Sequence, residues 1–433
     1  MNNKTLRDTF IIGFALFAVF FGAGNLIFPP SIGLVSGTNW PTALLGFVLT
    51  GIVLPLLSVI AVLNSDGKFE VLTNPISPWF YKVFNVLIMV GVGMFVTIPR
   101  TAATTHELGI QNLFPQTPPV ITILVFFALN FYFAMDKSNF IDKIGKALTP
   151  LLLGILLFIV YKGFFDPIGA PAATELGNPF SNAFISAYQT GDLFTGLLCA
   201  SVFIASITSH GYSDPSSIRK ITINSTVIAG IGLLLVYGGL LYLGATGSSL
   251  FPKEIESAAL VTGLVEKLLG SSGTIILALA VSLACLTTAI GLTVASADFL
   301  SNLTSHRVSY RNWVLFYCVV GSILGSLGVE NIINFALPLF LALYPVSIVL
   351  VFLGLFRKYM PNAGAYKGAA ILTIIVSVVE TIGIVGEVES FNSLISLLPF
   401  SANGFSWVIP SIIGFIFGTF LSPSKTEKLP KAS

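Results

Sequence analysis

Charged side chains are scarce in this sequence. Of its 433 residues, 9% are Asp, Glu, Lys or Arg, whereas 55% are hydrophobic. Soluble globular domains carry roughly a quarter charged residues, so this chain has too little charge to cover a globular surface in water. The composition predicts an integral membrane protein, and a net charge of +2 is too small to recruit nucleic acid.

Residues for redox, metal or ATP chemistry are also few. The three cysteines, Cys199, Cys285 and Cys318, lie inside apolar runs, so we expect small buried side chains rather than a disulfide framework. The three histidines are far apart in the sequence and predict no metal centre. The chain has no Gly-x-x-x-x-Gly-Lys-Ser/Thr loop, so it offers no recognisable site for ATP-driven pumping. It also has neither of the enzyme motifs His-Glu-x-x-His and Gly-x-Ser-x-Gly.

Long hydrophobic runs, in contrast, are abundant. A bilayer core about 30 Å thick needs about 20 mostly apolar residues per helix, and twelve segments meet this requirement. The first run lacks an Ala-x-Ala-like cleavage site, so we expect an uncleaved first helix. The predicted spans are residues 9–34, 42–63, 78–101, 119–135, 147–163, 182–208, 219–245, 272–300, 312–328, 332–356, 368–386 and 405–421.

The basic residues predict an orientation, because Lys and Arg are retained on the cytoplasmic side of a membrane. With an internal N-terminus, all but four of the 21 basic residues face inward. The four that face outward are Arg100, Lys162, Lys253 and Lys267. We therefore expect a multi-pass protein of the plasma membrane with both termini in the cytoplasm.

Span one contains a segment, from Phe20 to Pro30, that is unfavourable for a helix. Gly22 and Gly24 weaken a helix and Asn25 prefers caps to helix interiors, so we expect an unwound stretch here. Inside a membrane, irregular backbone is tolerated only where it lines a cavity or is buried in protein. Free N–H groups of the outer half-helix suit an anion, and carbonyls of the inner half suit a cation. Alternatively, the two glycines only permit close helix packing.

Span six contains a second polar interruption, from Ser186 to Asp192. Interruptions at corresponding positions of two halves are the best sequence indication of a transporter site, and spans one and six begin two five-helix halves of opposite orientation. Placing Asp192 in the membrane costs about 2.5–3.5 kcal/mol on insertion scales, so it needs a partner, a cation or a proton. Asp192 either takes part in ion or proton coupling or caps the inner half of span six.

Span eight offers adjacent hydroxyls at Thr287 and Thr288 and the carbonyl of Ala284 one turn earlier. Hard oxygens of this kind suit an alkali cation, although Thr in a membrane helix often bonds only to its own backbone. Arg100, at the predicted outer end of span three, either closes an external vestibule by pairing with an acid or extends to the interface. Asp298, near the inner end of span eight, either lines an inner exit or is a helix-end charge.

Three segments carry a resemblance to a known family: residues 21–30, 98–104 and 284–293. Through them the chain resembles the branched-chain amino acid:cation symporter family over nearly its whole length. Its interrupted helices resemble the leucine-transporter-like fold of the amino acid-polyamine-cation superfamily. The resemblance implies bacterial uptake of leucine, isoleucine and valine coupled to sodium, which is favoured, or to protons, with no cofactor other than the coupling ion.

The resemblance also implies roles for particular residues. The loop amides of the broader fold hold the substrate carboxylate, and they match Gly22, Ala23, Gly24 and Asn25. The cation ligands of that fold match the carbonyls of Ala18, Phe21 and Ala284 and the hydroxyls of Thr287 and Thr288. We further expect the substrate ammonium at carbonyls of span six and the side chain beside two aromatic rings; the residues concerned are Phe20, Ala187, Tyr188, Gln189 and Thr190.

One departure from the fold's pattern affects the external gate. Sodium symporters of this fold can have three residues, ending in Arg, between the Asn and the following Phe-Pro. Here only Leu26 and Ile27 stand between them. The gating Arg is absent at that position, which makes Arg100 a candidate substitute.

Together these features predict an all-α integral membrane protein with 12 transmembrane helices. The core is a 5+5 inverted repeat with discontinuous helices 1 and 6, and two extra helices follow it. The expected divisions are residues 1–166 for the first repeat, 167–360 for the second and 361–433 for the last two helices and a cytoplasmic tail.

The expected function is secondary active import of branched-chain amino acids by alternating access. The expected partners are the amino acid and membrane lipid, with no obligate protein partner. One alternative is an uncoupled facilitator or channel. The other is a membrane-embedded enzyme using Asp192, which would need an acid, base or metal companion that the sequence does not offer.

Overall fold

The structure is a computed structural model, which describes residues 3–136, 141, 144–174 and 176–421. All regular structure in these residues is helical and none of it is strand, as the sequence predicts. The helices, numbered in chain order, are α1 (Asn3–Phe20), α2 (Ala23–Ser36), α3 (residues 40–63), α4 (Phe69–Thr73), α5 (Pro78–Leu113), α6 (Pro119–Ala134), α7 (Thr149–Phe165), α8 (Pro179–Ser186), α9 (Asp192–Ser209), α10 (Pro215–Thr246), α11 (Ser257–Leu269), α12 (Ser271–Leu303), α13 (Tyr310–Gly325), α14 (Val329–Leu355), α15 (Ala363–Val385), α16 (Glu389–Ser396) and α17 (Val408–Leu421).

Seven helical stretches of the described chain are long and apolar enough to cross a membrane. They are Ala23–Leu63, Pro78–Leu113, Asp192–Ser209, Pro215–Thr246, Ser271–Leu303, Val329–Leu355 and Ala363–Val385. Three shorter apolar helices, α6, α7 and α17, have 10–17 residues. The molecule is thus an all-helical, multi-pass membrane protein, while the count of twelve spans and the 5+5 repeat stay predictions. The predicted tail at 422–433 and Lys137 and Lys143, which were predicted to face inward, lie outside the described residues.

The third predicted span is longer than the sequence suggests. It was expected to end at residue 101, but α5 continues to Leu113. Pro99 follows a π-helical stretch, Leu87–Thr97, and lies in the first turn of the α-helical segment after it. A Pro inside a helix removes one backbone hydrogen bond, yet α5 continues past Pro99. The prediction that Arg100 lies at a span end is wrong: it lies inside α5 and is 1% exposed.

Glycines bring α10 against α2. A Cβ added at Gly33 would stand 1.9 Å from the carbonyl oxygen of Leu241, and one at Gly244 would stand 2.0 Å from that of Pro30. Both neighbours are backbone atoms, so neither can yield. Small residues at such crossings are typical of membrane helices. This close contact positions α10, which carries Tyr237, beside the first two helices.

The three cysteines are free and buried, as predicted. The helices α11 and α16 lie between predicted spans. Near the end of the described chain, α15 and α17 pack together at glycines. A Cβ added at Gly368 would stand only 1.9 Å from the carbonyl oxygen of Gly414. None of the predicted site residues belongs to these last helices.

Candidate functional site

The chain leaves helical geometry between α1 and α2. Gly22 is extended there, with φ −113° and ψ −161°. The Asn25 side chain bridges the gap, because its Oδ1 accepts a hydrogen bond from the Gly22 amide at 3.0 Å. Ala23 and Gly24 are the first residues of α2, positions whose amides have no partner inside a helix. The result is a positive helix terminus buried within the protein.

A second interruption separates α8 from α9. Residues Ala187–Thr190 form a 3₁₀ turn, and Gly191 adopts a left-handed conformation at φ +77°, which favours glycine because it has no Cβ. The Thr190 hydroxyl donates to the carbonyl of Ala187 at 2.9 Å and accepts from the Asp192 amide at 3.3 Å. A side chain of the turn therefore holds the turn in place.

Asp192 joins the two interruptions. Its Oδ2 accepts hydrogen bonds from Asn25 Nδ2 at 2.6 Å and from the Tyr237 hydroxyl at 3.1 Å, and Asn25 also donates to Tyr237. These donors reduce the cost of burying the carboxylate, which is 1% exposed. Gly191 occupies the cap position of α9, without a side-chain hydrogen bond. The alternative that Asp192 acts as the cap of this helix is wrong.

Arg100 lies between the same two interruptions. Its Nη1 donates to the carbonyl of Gln189 at 2.8 Å and its Nη2 to that of Thr190 at 3.4 Å. Nη2 would also stand 2.9 Å from a Cβ added at Gly24, so the guanidinium adjoins the start of α2. The ring of Phe28 lies 5.6 Å from its carbon Cζ. Among the described residues it makes no hydrogen bond to a carboxylate, the partner that a gate was expected to use.

Aromatic rings cover the second interruption. The rings of Tyr188 and Tyr344 are stacked with centroids 4.2 Å apart. Phe194 lies 5.0 Å from Tyr344 and 5.7 Å from Phe340. Phe20, the other ring predicted to border a substrate, is buried as well. These rings form an apolar wall suited to an aliphatic group.

Oxygen atoms of α1 and α12 meet in one group. Thr287 Oγ1 donates to the carbonyls of Ala18 and Ala284, each at 3.0 Å. Thr288 Oγ1 lies 3.2 Å from the carbonyl oxygen of Ala18 and 3.1 Å from that of Val19. Four of the five predicted cation ligands therefore lie together, and the carbonyl of Val19 joins them. All are hard oxygens of the kind that bind alkali cations.

The first interruption adjoins this oxygen group. A Cβ added at Gly22 would stand 2.9 Å from Thr288 Oγ1, so this approach requires glycine. Phe21, the fifth predicted ligand, belongs to the same interruption. Within the part of the chain that the structure describes, no hydrogen bond links its carbonyl to Thr287 or Thr288.

A cavity of about 240 Å³ lies between the N-terminal part of α5, the middle of α9 and the C-terminal part of α12. Its lining includes Asn85, Leu198, Ser201 and Ala295. Asp298, expected near an inner exit, also lines it. The cavity is a water-accessible space at one end of the helices that carry the predicted site.

Most of the predicted site residues meet where the two interruptions approach each other. Sequence reasoning missed Tyr237, Phe340 and Tyr344. A tyrosine inside an apolar helix does indicate a polar contact, because a buried hydroxyl needs a hydrogen-bond partner. Nothing in the sequence identifies that partner as Asp192, because the two residues belong to different helices.

Solved transporters share this architecture. The chain is similar to a Na⁺-coupled sialic acid symporter in a substrate-bound outward-open state, with a TM-score of 0.62 and 16% identity over 96% of this chain and 89% of that one. It is also similar to MhsT in complex with L-phenylalanine, with a TM-score of 0.55 and 14% identity over 95% of this chain and 98% of that one. Identities this low show the fold alone. The fold and the interrupted helices define a membrane protein of the leucine-transporter-like class.

Sequence similarity narrows this class to one family. The family described as branched-chain amino acid transport protein matches residues 5–425. Identity is 34% to branched-chain amino acid permease BraB of Bacillus subtilis strain 168, over 97% of both chains. It is 31% to the branched-chain amino acid transport system 2 carrier protein of Pseudomonas aeruginosa, over 94% of both. The chain belongs to the branched-chain amino acid transport protein family, which excludes the enzyme alternative.

Proposed function

We propose that this chain imports leucine, isoleucine and valine across the bacterial plasma membrane by symport with sodium. The observation that carries the proposal is the meeting of two interrupted helices at Asp192, beside a group of hard oxygens. A helix N-terminus and a row of carbonyls present opposite partial charges side by side, which suits a zwitterion. The names of the relatives support branched-chain substrates.

In this proposal the substrate lies between the interruptions. Its carboxylate is bound in the loop from Gly22 to Asn25, where Ala23 and Gly24 supply the free amides. Its ammonium lies at carbonyls of the turn Ala187–Thr190. Its aliphatic side chain lies against Tyr188 and Phe20, with the rings from α14 closing the pocket.

Sodium binds between α1 and α12, at Ala18, Phe21, Ala284, Thr287 and Thr288. The threonine hydroxyls turn their hydrogens away from the carbonyl of Ala18 and present lone pairs to the ion. The bound ion joins α1 to α12, and the bound substrate joins the same interrupted region to α9. Each therefore favours the arrangement that binds the other, and the two affinities are linked reciprocally.

Transport follows by alternating access, as one helical bundle rocks against the rest. The two repeats, residues 1–166 and 167–360, supply one interrupted helix each, and both termini are cytoplasmic. The cavity beside Asp298 is the release route to the cytoplasm. Its position at the N-terminal part of α5 and the C-terminal part of α12, on the side predicted to be rich in basic residues, supports this assignment.

Uptake of labelled leucine into proteoliposomes tests the proposal. At fixed pH, an inward sodium gradient is expected to drive leucine above its external concentration, with unlabelled isoleucine and valine competing. Equilibration without accumulation would instead identify an uncoupled facilitator. Accumulation driven by a pH gradient in sodium-free buffer would overturn the sodium assignment and make Asp192 the leading proton carrier.

We expect Gly24→Ala to weaken leucine binding. Its Cβ would meet Arg100 Nη2 at 2.9 Å and Thr190 Cα at 3.2 Å, which forces the two interruptions apart. Overpacking costs about 1–3 kcal/mol, or roughly 5- to 150-fold in affinity, measured by binding of labelled leucine to purified protein. Gly154→Ala is the matched control, because its Cβ would meet nothing within 4 Å. Equal affinities for the two variants would contradict the proposed position of the substrate.

A further inference from the structure

The guanidinium of Arg100 has hydrogen-bond partners on one edge, whereas the Nε on its other edge, called the open edge below, has none among the residues that the structure describes. An arginine carries five N–H donors in a planar fork. The end formed by Nη1 and Nη2 faces the carbonyls of Gln189 and Thr190. On the adjacent edge, Nε has no hydrogen-bond partner although Arg100 is 1% exposed. A buried charged donor without an acceptor is costly, so this edge is suited to an acceptor that the protein itself does not supply.

The open edge is next to a second positive feature. Nη2 adjoins Gly24, at the start of α2, where the free amides and the helix dipole carry partial positive charge. A cation against a helix N-terminus in a low-dielectric interior is unfavourable unless an anion lies between them. Asp192 is near enough to interact electrostatically with Arg100, but in the described part of the chain it makes no hydrogen bond to the guanidinium, and its Oδ2 accepts from Asn25 and Tyr237. The Nε edge therefore lacks a hydrogen-bonded anion.

We propose that Arg100 binds the substrate carboxylate directly, through Nε and Nη2. The carboxylate then bridges the guanidinium and the amides of Ala23 and Gly24, and the carbonyls of Gln189 and Thr190 hold the fork in position. This inference rests on the proposed function. It makes Arg100 a specificity-determining residue that requires a free carboxylate on the ligand, rather than a gate at the outer mouth.

The inference predicts that the carboxylate requirement depends on Arg100. Leucinamide keeps the ammonium and the side chain of leucine but lacks the carboxylate. Loss of one partner of a buried, hydrogen-bonded charge pair costs about 30-fold or more in affinity. Wild-type protein is therefore expected to bind leucinamide about 30-fold more weakly than leucine, measured by ligand-induced thermal stabilisation titrated into the millimolar range.

In Arg100→Gln, leucine affinity is expected to fall by about 30-fold and the preference for leucine over leucinamide to shrink below about threefold. Arg100→Lys keeps the charge but loses the planar fork, so we expect at least about tenfold weaker leucine binding with leucinamide binding unchanged. Lys82→Gln is the control, since it removes an exposed charge from the same helix and is expected to bind both ligands as wild type does.

The outcomes separate the two proposals. Wild-type protein that binds no branched-chain amino acid would overturn the proposed function. Wild-type protein that binds leucine, with Arg100→Gln retaining full affinity or the full preference over leucinamide, would overturn the role of Arg100 alone. If Arg100→Gln does not fold, Arg100→Lys decides: wild-type leucine affinity in that variant overturns the inference.

Discussion

Replacing Asp192 by alanine is expected to abolish leucine uptake and to destabilise the protein. The carboxylate accepts hydrogen bonds from Asn25 and Tyr237 at the junction of the two interrupted helices. Its removal leaves the buried Tyr237 hydroxyl without its acceptor, at about 1–3 kcal/mol. It also removes one of the two acceptors of Asn25 Nδ2. The position of Asn25, whose Oδ1 accepts from the Gly22 amide, is therefore held less firmly.

Two further variants make this result specific. Asp192→Asn keeps an acceptor oxygen, so we expect a folded protein with reduced but measurable sodium-driven uptake. Asp166→Ala removes an exposed carboxylate whose partner is Lys162, and it is expected to transport as wild type does. Thermal unfolding and labelled-leucine uptake report the two effects. An Asp192→Ala protein with normal stability and uptake would show that the junction is not needed.

Removing both threonine hydroxyls from α12 is expected to uncouple leucine accumulation from sodium. In Thr287→Ala/Thr288→Ala the ion loses two of its five proposed ligands. Even partners outside the ligand sphere cost 10–100-fold in metal affinity when they are lost, so we expect the apparent sodium affinity to fall at least about tenfold. The measurement is leucine uptake as a function of sodium concentration at fixed pH.

The chain offers matched controls for this double variant. Thr288→Ser keeps a hydroxyl and is expected to retain most of the sodium response. Thr274→Ala removes a hydroxyl that bonds to the carbonyl of Ser271 in the first turn of the same helix, far from the oxygen group, and is expected to behave as wild type does. An unchanged sodium response in Thr287→Ala/Thr288→Ala would place the coupling ion elsewhere.

Local backbone chemistry explains which parts of the site were predictable from the sequence. Gly22, Gly24 and Asn25 all weaken a helix, which predicts an interruption in this segment. The break itself is confined to Phe21 and Gly22, because Gly24 and Asn25 lie in the first turn of α2. The left-handed turn at Gly191 follows in the same way. The group formed by Ala18 and the α12 threonines depended on the family resemblance, because hydroxyls in a membrane helix often bond only to their own backbone.

The pairings across helices were not predictable. Asn25 and Asp192 are 167 residues apart, and no local preference connects them. The third span was predicted to end at residue 101, but α5 continues past Pro99 to Leu113. Arg100 was therefore predicted at the outer mouth, whereas it lies at the centre of the site. Its hydrogen-bond partners there are backbone carbonyls, which have no sequence signature.

The most direct test of the central claim is a cryo-EM map of the protein with leucine and sodium bound. The account predicts leucine density between the loop Gly22–Asn25 and the turn Ala187–Thr190, with its carboxylate towards Ala23 and Gly24. Leucine density elsewhere, or α1 and α2 joined in one unbroken helix, would contradict it.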